Sequence, residues 1–263
     1  PPYEARIGRL PVGGGRTIIY PNPDIIPQNQ KGFDYGLEIY DKKGKYNFEI
    51  TYYDNVIQDF LSSISLGPDP TDPNLFGYRY INLGKVANKG LELSGQYNIS
   101  RFSIRGTYSI MNSTIKDTTG GYQSFTLAGK APGTRMDNLP RHTAGINLTY
   151  NFFKIFGKAD KAAISFNLTE VDGIISSDFF TYAMDVSYGR AAFVPDTYAY
   201  DLTTKSVYRL GFNLDYNFVP SCRFFIQGAN ITNSYISETG TNYPTYGATW
   251  LFGFKYNFTK ANN

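Results

Sequence analysis

"YRLGFNLDYNF" occupies residues 208–218 and divides in two when read at every second residue. Tyr208, Leu210, Phe212, Leu214, Tyr216 and Phe218 are apolar or aromatic, while Arg209, Gly211, Asn213, Asp215 and Asn217 are polar or glycine. Successive side chains of a strand point to opposite faces, so this segment makes a strand with one oily face and one wet face. Which of the two is inside decides the fold.

The alternation recurs along the chain. "FDYGLEIY" (33–40), "YNFEITYYDN" (46–55), "LELSGQYNI" (91–99), "FSIRGTYSI" (102–110), "HTAGINLTY" (142–150), "AISFNLTE" (163–170) and "TWLFGFKYNF" (249–258) all split in the same way. "CRFFIQGAN" (222–230) is less clean, because Phe225 falls on the polar side. The pattern predicts about nine strands of roughly ten residues, the length that crosses a bilayer when tilted.

Connections alternate as well. "DKKGK" (41–45), "NISR" (98–101) and "NFVPS" (217–221) are tight turns, and "NFFKIFGKAD" (151–160) is intermediate in length. The segments 61–83, 112–140, 172–206 and 231–246 are long. A compact soluble sandwich seldom carries several connections of that length. An outer-membrane barrel does, with short periplasmic turns at one end and long extracellular loops at the other. The oily face then meets lipid, with Tyr and Phe near strand ends as in aromatic girdles, and the Asn, Thr, Ser and Gly face lines a wet lumen.

Composition agrees. The chain has 263 residues, 41% hydrophobic and 18% charged, with 23 Tyr and 20 Phe against one Trp. A net charge of +3 gives no case for nucleic acid. Single Cys222 and single His142 exclude a disulfide framework and a cysteine-rich metal site. No run of about 18 apolar residues occurs, so no transmembrane helix is expected. "PPYEARIGRL" (1–10) has neither an initial Met nor a signal-peptide pattern, as expected of a mature form or a piece of something longer. Residues 3–10 are a candidate stub of one more strand, because a complete single-chain bacterial barrel has an even strand number.

Several segments resemble the barrel of TonB-dependent outer-membrane receptors. "NPDIIPQNQKGFDYGLEIYDKKGKYNFEITYYDNVIQDFL" (22–61) is similar to that family's Asn-Pro-x-Leu-x-Pro-Glu segment, Tyr-Glu-x-Gly-Leu strand and following hairpin, with Gln28 where Glu is usual. "YINLGKVANKGLELSGQY" (80–97), "LPRHTAGINLTYNF" (139–152), "GANITNSYI" (228–236) and "YGATWLFGFKYNF" (246–258) resemble its later strands in order, with Asn233 at the usual Asp.

The resemblance implies an all-β fold, a transmembrane antiparallel β-barrel, of which this chain supplies about nine or ten C-terminal strands out of about 22. It implies residues 1–31 as an extracellular segment, 32–258 as barrel and 259–263 as a periplasmic tail. It further implies location in the outer membrane, active uptake of a scarce ligand (siderophore, haem, cobalamin, glycan or peptide), and no enzymatic activity or cofactor. The implied partners are membrane lipid and lipopolysaccharide, a plug and N-terminal strands on the same or another chain, and the TonB complex through that plug. A complete small porin or adhesin of about ten strands and a soluble β-rich binding module are the alternatives.

Candidate ligand contacts are aromatics of the long loops: Phe179, Phe180, Tyr182, Tyr188, Tyr198 and Tyr200 in 172–206, with Tyr78, Tyr80, Tyr243 and Tyr246 in its neighbours. Exposed rings on a loop make good contact surface for a sugar or an aromatic chelate. Other chemistry is thin. His142 lacks the serine or the acidic pair that a barrel hydrolase would need. Asp69, Asp72 and Asn74 offer oxygen ligands without calcium-loop spacing, and "GGGR" (13–16) opens no helix.

Overall fold

The structure, a computed structural model, describes residues 10–12, 17–82, 84–118, 132–177, 188, 201–236 and 245–258. The described residues contain strands and no helix: β1 (Leu10–Val12), β2 (Thr17–Tyr20), β3 (Asn29–Tyr40), β4 (Tyr46–Gln58), β5 (Leu61–Asp69), β6 (Asp72–Asn82), β7 (Gly84–Ile99), β8 (Phe102–Thr118), β9 (His142–Phe153), β10 (Lys161–Asp172), β11 (Ile175–Ser177), β12 (Asp201–Thr203), β13 (Val207–Val219), β14 (Cys222–Ala229) and β15 (Thr249–Tyr256).

Nine of them form one antiparallel sheet in the order β15-β14-β13-β10-β9-β8-β7-β4-β3. These are the nine strands that the alternation predicts. Register keeps each face continuous. One apolar row reads Tyr97, Ile104, Leu148, Phe166, Phe212 across β7, β8, β9, β10 and β13. The neighbouring polar row reads Asn98, Ser103, Thr149, Ser165, Asn213, Gln227 and continues through β14.

The apolar face is uncovered. Leu37 is 59% exposed, Phe252 74% and Phe254 72%. The buried hydrophobic residues are only Ile18, Ile25, Val86, Ile115, Ala162, Ile174 and Val207 among the described residues. A sandwich would pack its apolar face against a second sheet. Each large apolar side chain left in water forgoes about 1.5–3 kcal/mol, and roughly a dozen of them exceed the ~5–15 kcal/mol net stability of a folded domain. This face therefore meets hydrocarbon, and the sheet is a wall of a membrane barrel. Its outermost strands, β3 and β15, do not pair with each other, so the wall is open rather than a closed ten-stranded barrel. All backbone groups of a spanning sheet must be paired in lipid, so both edges need further strands.

The connection 61–83 differs from its expectation as a plain loop. β5 and β6 pair there as a hairpin, and β6 also takes β2 in parallel, giving a four-stranded sheet β1-β2-β6-β5. Pro68, Pro70 and Pro73 hide the period, and the pairing absorbs the disturbance in register shifts at Ser65/Gly67 and Pro68/Asp69. Leu10, at the end of the candidate stub, lies in β1 and so belongs to this smaller sheet. β7 has 16 residues and β8 has 17, so both project past the roughly 9–11 residues that span a bilayer.

Candidate functional site

The polar face carries the candidate site. Its side chains bond across strands: Arg105 donates to Gln96 (2.8 Å), the hydroxyls of Thr149 and Ser165 meet at 2.8 Å, and Asn147 donates to Asn167. Lower on the wall the Arg223 Nε donates to Asp215 at 2.6 Å. The exception in the sequence pattern, Phe225, lies on this polar face opposite Gly253. A Cβ at Gly253 would sit 2.9 Å from the Phe225 ring, so the glycine makes room for an aromatic on the wet side.

Beside this network the wall forms a concavity of about 520 Å³, lined by Asn167, Thr169, Arg209, Asn213, Gln227 and Thr249 with Gly211 in its floor. Its amide and hydroxyl groups are set among Trp250, Leu251 and Ala229, so the lining is mainly apolar with polar points. Such a surface hydrogen-bonds neutral polar groups, backbone amides and hydroxyls alike. Arg209 stands at its mouth and donates to the carbonyls of Ser234 (3.4 Å) and Ile236 (3.0 Å) and to the Thr245 hydroxyl (3.3 Å). It therefore ties down both ends of the β14–β15 connection.

The base of that connection is built by the "GANITNSYI" segment. Asn230 and Asn233 adopt positive φ (50° and 57°), which asparagine tolerates better than most residues. The Asn230 Nδ2 donates to the carbonyls of Ser234 (2.7 Å) and Tyr246 (3.0 Å), and its Oδ1 accepts from the Ser234 N–H (3.1 Å). Asn233 accepts from the Ala248 N–H at 2.9 Å. At the other side of the wall Asn82 bonds to Ile26 in both directions and to the Asp59 carbonyl, fastening the 20–28 stretch to β6.

Of the aromatic candidates, Tyr78 and Tyr80 lie half-buried on β6, Tyr188 is exposed, and Tyr246 is 89% exposed. β6 stands between β4 and β7 in sequence, and Tyr246 between β14 and β15, so they rise from distant parts of the strand order. Phe179, Phe180, Tyr182, Tyr198, Tyr200 and Tyr243 lie outside the described residues, as does 13–16. The lumenal concavity and the Arg209 tie had no sequence signal of their own.

The remaining polar residues close turns. Asp69 accepts from Tyr20, from the Thr71 N–H (2.7 Å) and hydroxyl, and from the Asp72 N–H (3.2 Å), while Asp72 accepts from the Asn74 N–H (3.0 Å) and Nδ2 (3.1 Å). No group of three or more His, Cys, Asp or Glu among the described residues could hold a metal. His142 Nδ1 meets the Tyr108 hydroxyl at 2.8 Å on the apolar face.

Comparisons with known proteins follow the same line. The family model described as TonB dependent receptor-like, beta-barrel matches residues 1–233. The FrpB iron transporter from Neisseria meningitidis (F5-1 variant) has a similar fold, with TM-score 0.63 and 14% identity over 92% of this chain and 33% of its own. The siderophore receptor PirA from Acinetobacter baumannii gives 0.64 and 16% over 93% and 34%. The pyoverdine outer membrane receptor FpvA from Pseudomonas aeruginosa gives 0.59 and 12% over 89% and 30%. The chain thus spans about a third of the length of these structures. Comparison with curated proteins finds no match.

Proposed function

This chain belongs to the TonB dependent receptor-like β-barrel family of the outer membrane, and from that premise we propose that it supplies the C-terminal wall of a receptor for active uptake of a scarce ligand. The observation that carries the proposal is the open nine-stranded sheet with lipid outside, amides and hydroxyls inside, and two edges awaiting strands. The short turns 41–45, 98–101, 151–160 and 217–221 face the periplasm, and the long connections face outward. The rest of the barrel and a plug, on the same or another chain, complete the lumen, and the TonB complex acts through the plug.

Ligand specificity sits in the outer rim: Tyr78, Tyr80, Tyr188 and Tyr246, together with the aromatics of 172–206. The concavity below Arg209 faces the plug or the ligand on its way through. Lipopolysaccharide covers the outward side of the long-connection end, where Lys31 and Lys89 lie on the lipid-facing parity. Ferric chelates are the first ligand class to test, because the structures of similar fold include an iron transporter and siderophore receptors. Haem, cobalamin, glycans and peptides follow.

The test is a strain lacking the complete receptor, assayed for uptake of radiolabelled ligands of each class with and without a collapsed proton gradient. Loss of energy-dependent uptake of one ligand, restored by the gene, is expected. Normal uptake of every class, with the polypeptide absent from the outer-membrane fraction, would overturn the reading.

A further inference from the structure

The lipid-facing wall has a gap. Across one row it reads Phe48, Gly95, Gly106, Ile146, so two adjacent strands present no side chain between a ring and an isoleucine. The rows on either side are full: Leu93, Tyr108 and Ala144 on one, Tyr97, Ile104 and Leu148 on the other. The result is an apolar groove of about 500 Å³ walled by Phe48, Leu93, Tyr97, Ile104, Tyr108 and Ile146. The Phe48 ring covers the Gly95 position, so the vacancy lies over Gly106, one strand spacing (~4.8 Å) wide, the breadth of an extended hydrocarbon chain.

The two glycines have different reasons to be there. A Cβ at Gly95 would sit 2.8 Å from the Phe48 ring, so that glycine lets the ring lie across β7 and form the groove's side. A Cβ at Gly106 would have no neighbour nearer than 3.9 Å, so that glycine leaves the floor open.

One end of the groove is cationic. The Lys45 ammonium lies over the Tyr97 ring, 5.7 Å from its centre. Lys42 and Lys43 belong to the same turn, against Asp41, whose carboxylate accepts the Lys45 backbone N–H at 3.0 Å. An apolar slot ending under a cation at a membrane surface matches a lipid with an anionic headgroup.

We propose that this groove binds one glycerophospholipid, an acyl chain over Gly106 between the Phe48 ring and Ile146 and the phosphate on Lys45. The occupant is a phospholipid rather than lipid A because the cation lies at the short-turn end; this rests on the assignment of the short turns to the periplasmic leaflet, where phospholipid is found.

The complete receptor, folded in vesicles of phosphatidylethanolamine and phosphatidylglycerol, is irradiated with phosphatidylglycerol carrying a diazirine in mid-chain. Labelling is expected to concentrate on Leu93, Tyr97, Ile104 and Tyr108. Gly106→Leu, which fills an empty space, should cut it at least fivefold, and Lys45→Glu, in an exposed turn, at least threefold, with labelling of Phe252 and Phe254 unchanged. Equal labelling of the groove and of Phe252 in the unaltered receptor, or full labelling of either variant, would overturn the site. Heat-modifiable mobility verifies that each variant is folded, and Lys45→Glu decides the matter if Gly106→Leu is not. Labelling of Ser94 and Thr107 instead would reverse the two faces and so strike at the barrel assignment itself. Preferential labelling of the groove by a lipid A probe in intact cells would overturn the occupant and the orientation together.

Discussion

The Tyr216 hydroxyl donates to the Asp160 carboxylate at 3.0 Å, joining residues 56 apart in the chain. The same carboxylate accepts the backbone N–H groups of Ile155 (2.9 Å), Phe156 (2.7 Å) and Gly157 (3.1 Å). One buried side chain thus organises the whole 154–160 turn and ties it to β13.

Acid should loosen that turn. The Phe156 N–H first, then the Tyr216 hydroxyl and the Gly157 and Ile155 N–H groups, hold the Asp160 carboxyl below its ordinary range against the opposing effect of desolvation. A lowered folded pKa contributes stability that is complete above the unfolded value, about 3.9, and is lost as pH falls through the folded value. Hydrogen-exchange protection of 153–161, corrected for intrinsic rates, should be flat from pH 7 to about 5 and fall below the ordinary carboxylate range. Asp160→Asn should lack the acid-dependent part. Protection that declines already near neutrality would assign it to another group.

The two faces should answer oppositely to charge. Phe212 packs between Phe166 (5.4 Å between ring centres) and Trp250 (6.3 Å) on the lipid side. Phe212→Arg should cost about 2–4 kcal/mol near mid-membrane, measured by unfolding of the receptor in vesicles. Asn213→Arg, which points into the lumenal concavity, should cost much less. The reverse order of damage would make the apolar face a soluble core.

Phe225 and Gly253 should be coupled. Gly253→Ala alone should destabilise by about 1–3 kcal/mol through overpacking, and by clearly less in a Phe225→Ala background, because the clash disappears with the ring. Additive effects in the cycle would mean that the glycine serves the backbone rather than the ring.

Much of this wall is visible in a period of two, because lipid and lumen demand opposite chemistry on alternate residues such as Phe212 and Asn213. Phe225 breaks the period for a reason found directly across on the neighbouring strand, at Gly253. β5 and β6 escape it because prolines interrupt the alternation, and pairing is restored only by shifted register. The Arg209 tie is invisible for a different reason: two of its acceptors are backbone carbonyls 25 and 27 residues away, and a carbonyl has no letter in a sequence.

Orientation is open to labelling in a Cys222→Ser background. Asn74→Cys, in the β5–β6 hairpin, should react with an impermeant maleimide on intact cells, and Lys43→Cys and Ser100→Cys should react only after the outer membrane is breached. Preferential labelling of the second pair would invert the topology.

The 172–206 connection can be shortened at a defined place. β11 and β12 pair through Ile175↔Thr203, closing its base. Replacing 178–200 by Asn-Gly should weaken ligand binding at least tenfold, about 1.4 kcal/mol, while β10 and β13 stay paired. Unchanged affinity in a correctly inserted variant would remove this segment from the site and leave Tyr78, Tyr80, Tyr243 and Tyr246 as candidates.

The strand order has an evolutionary consequence. Apart from the excursions β5–β6 and β11–β12, every strand of the wall between its edges β3 and β15 pairs with its predecessor and successor in the chain. Each outward connection closes a hairpin whose two legs are already neighbours, and doubling the length of a flexible loop adds only about 0.6 kcal/mol of closure entropy. Rim segments can therefore be lengthened, replaced or borrowed with little disturbance to the strands beneath them. A meander of this kind separates the inheritance of the scaffold from the inheritance of its taste for cargo.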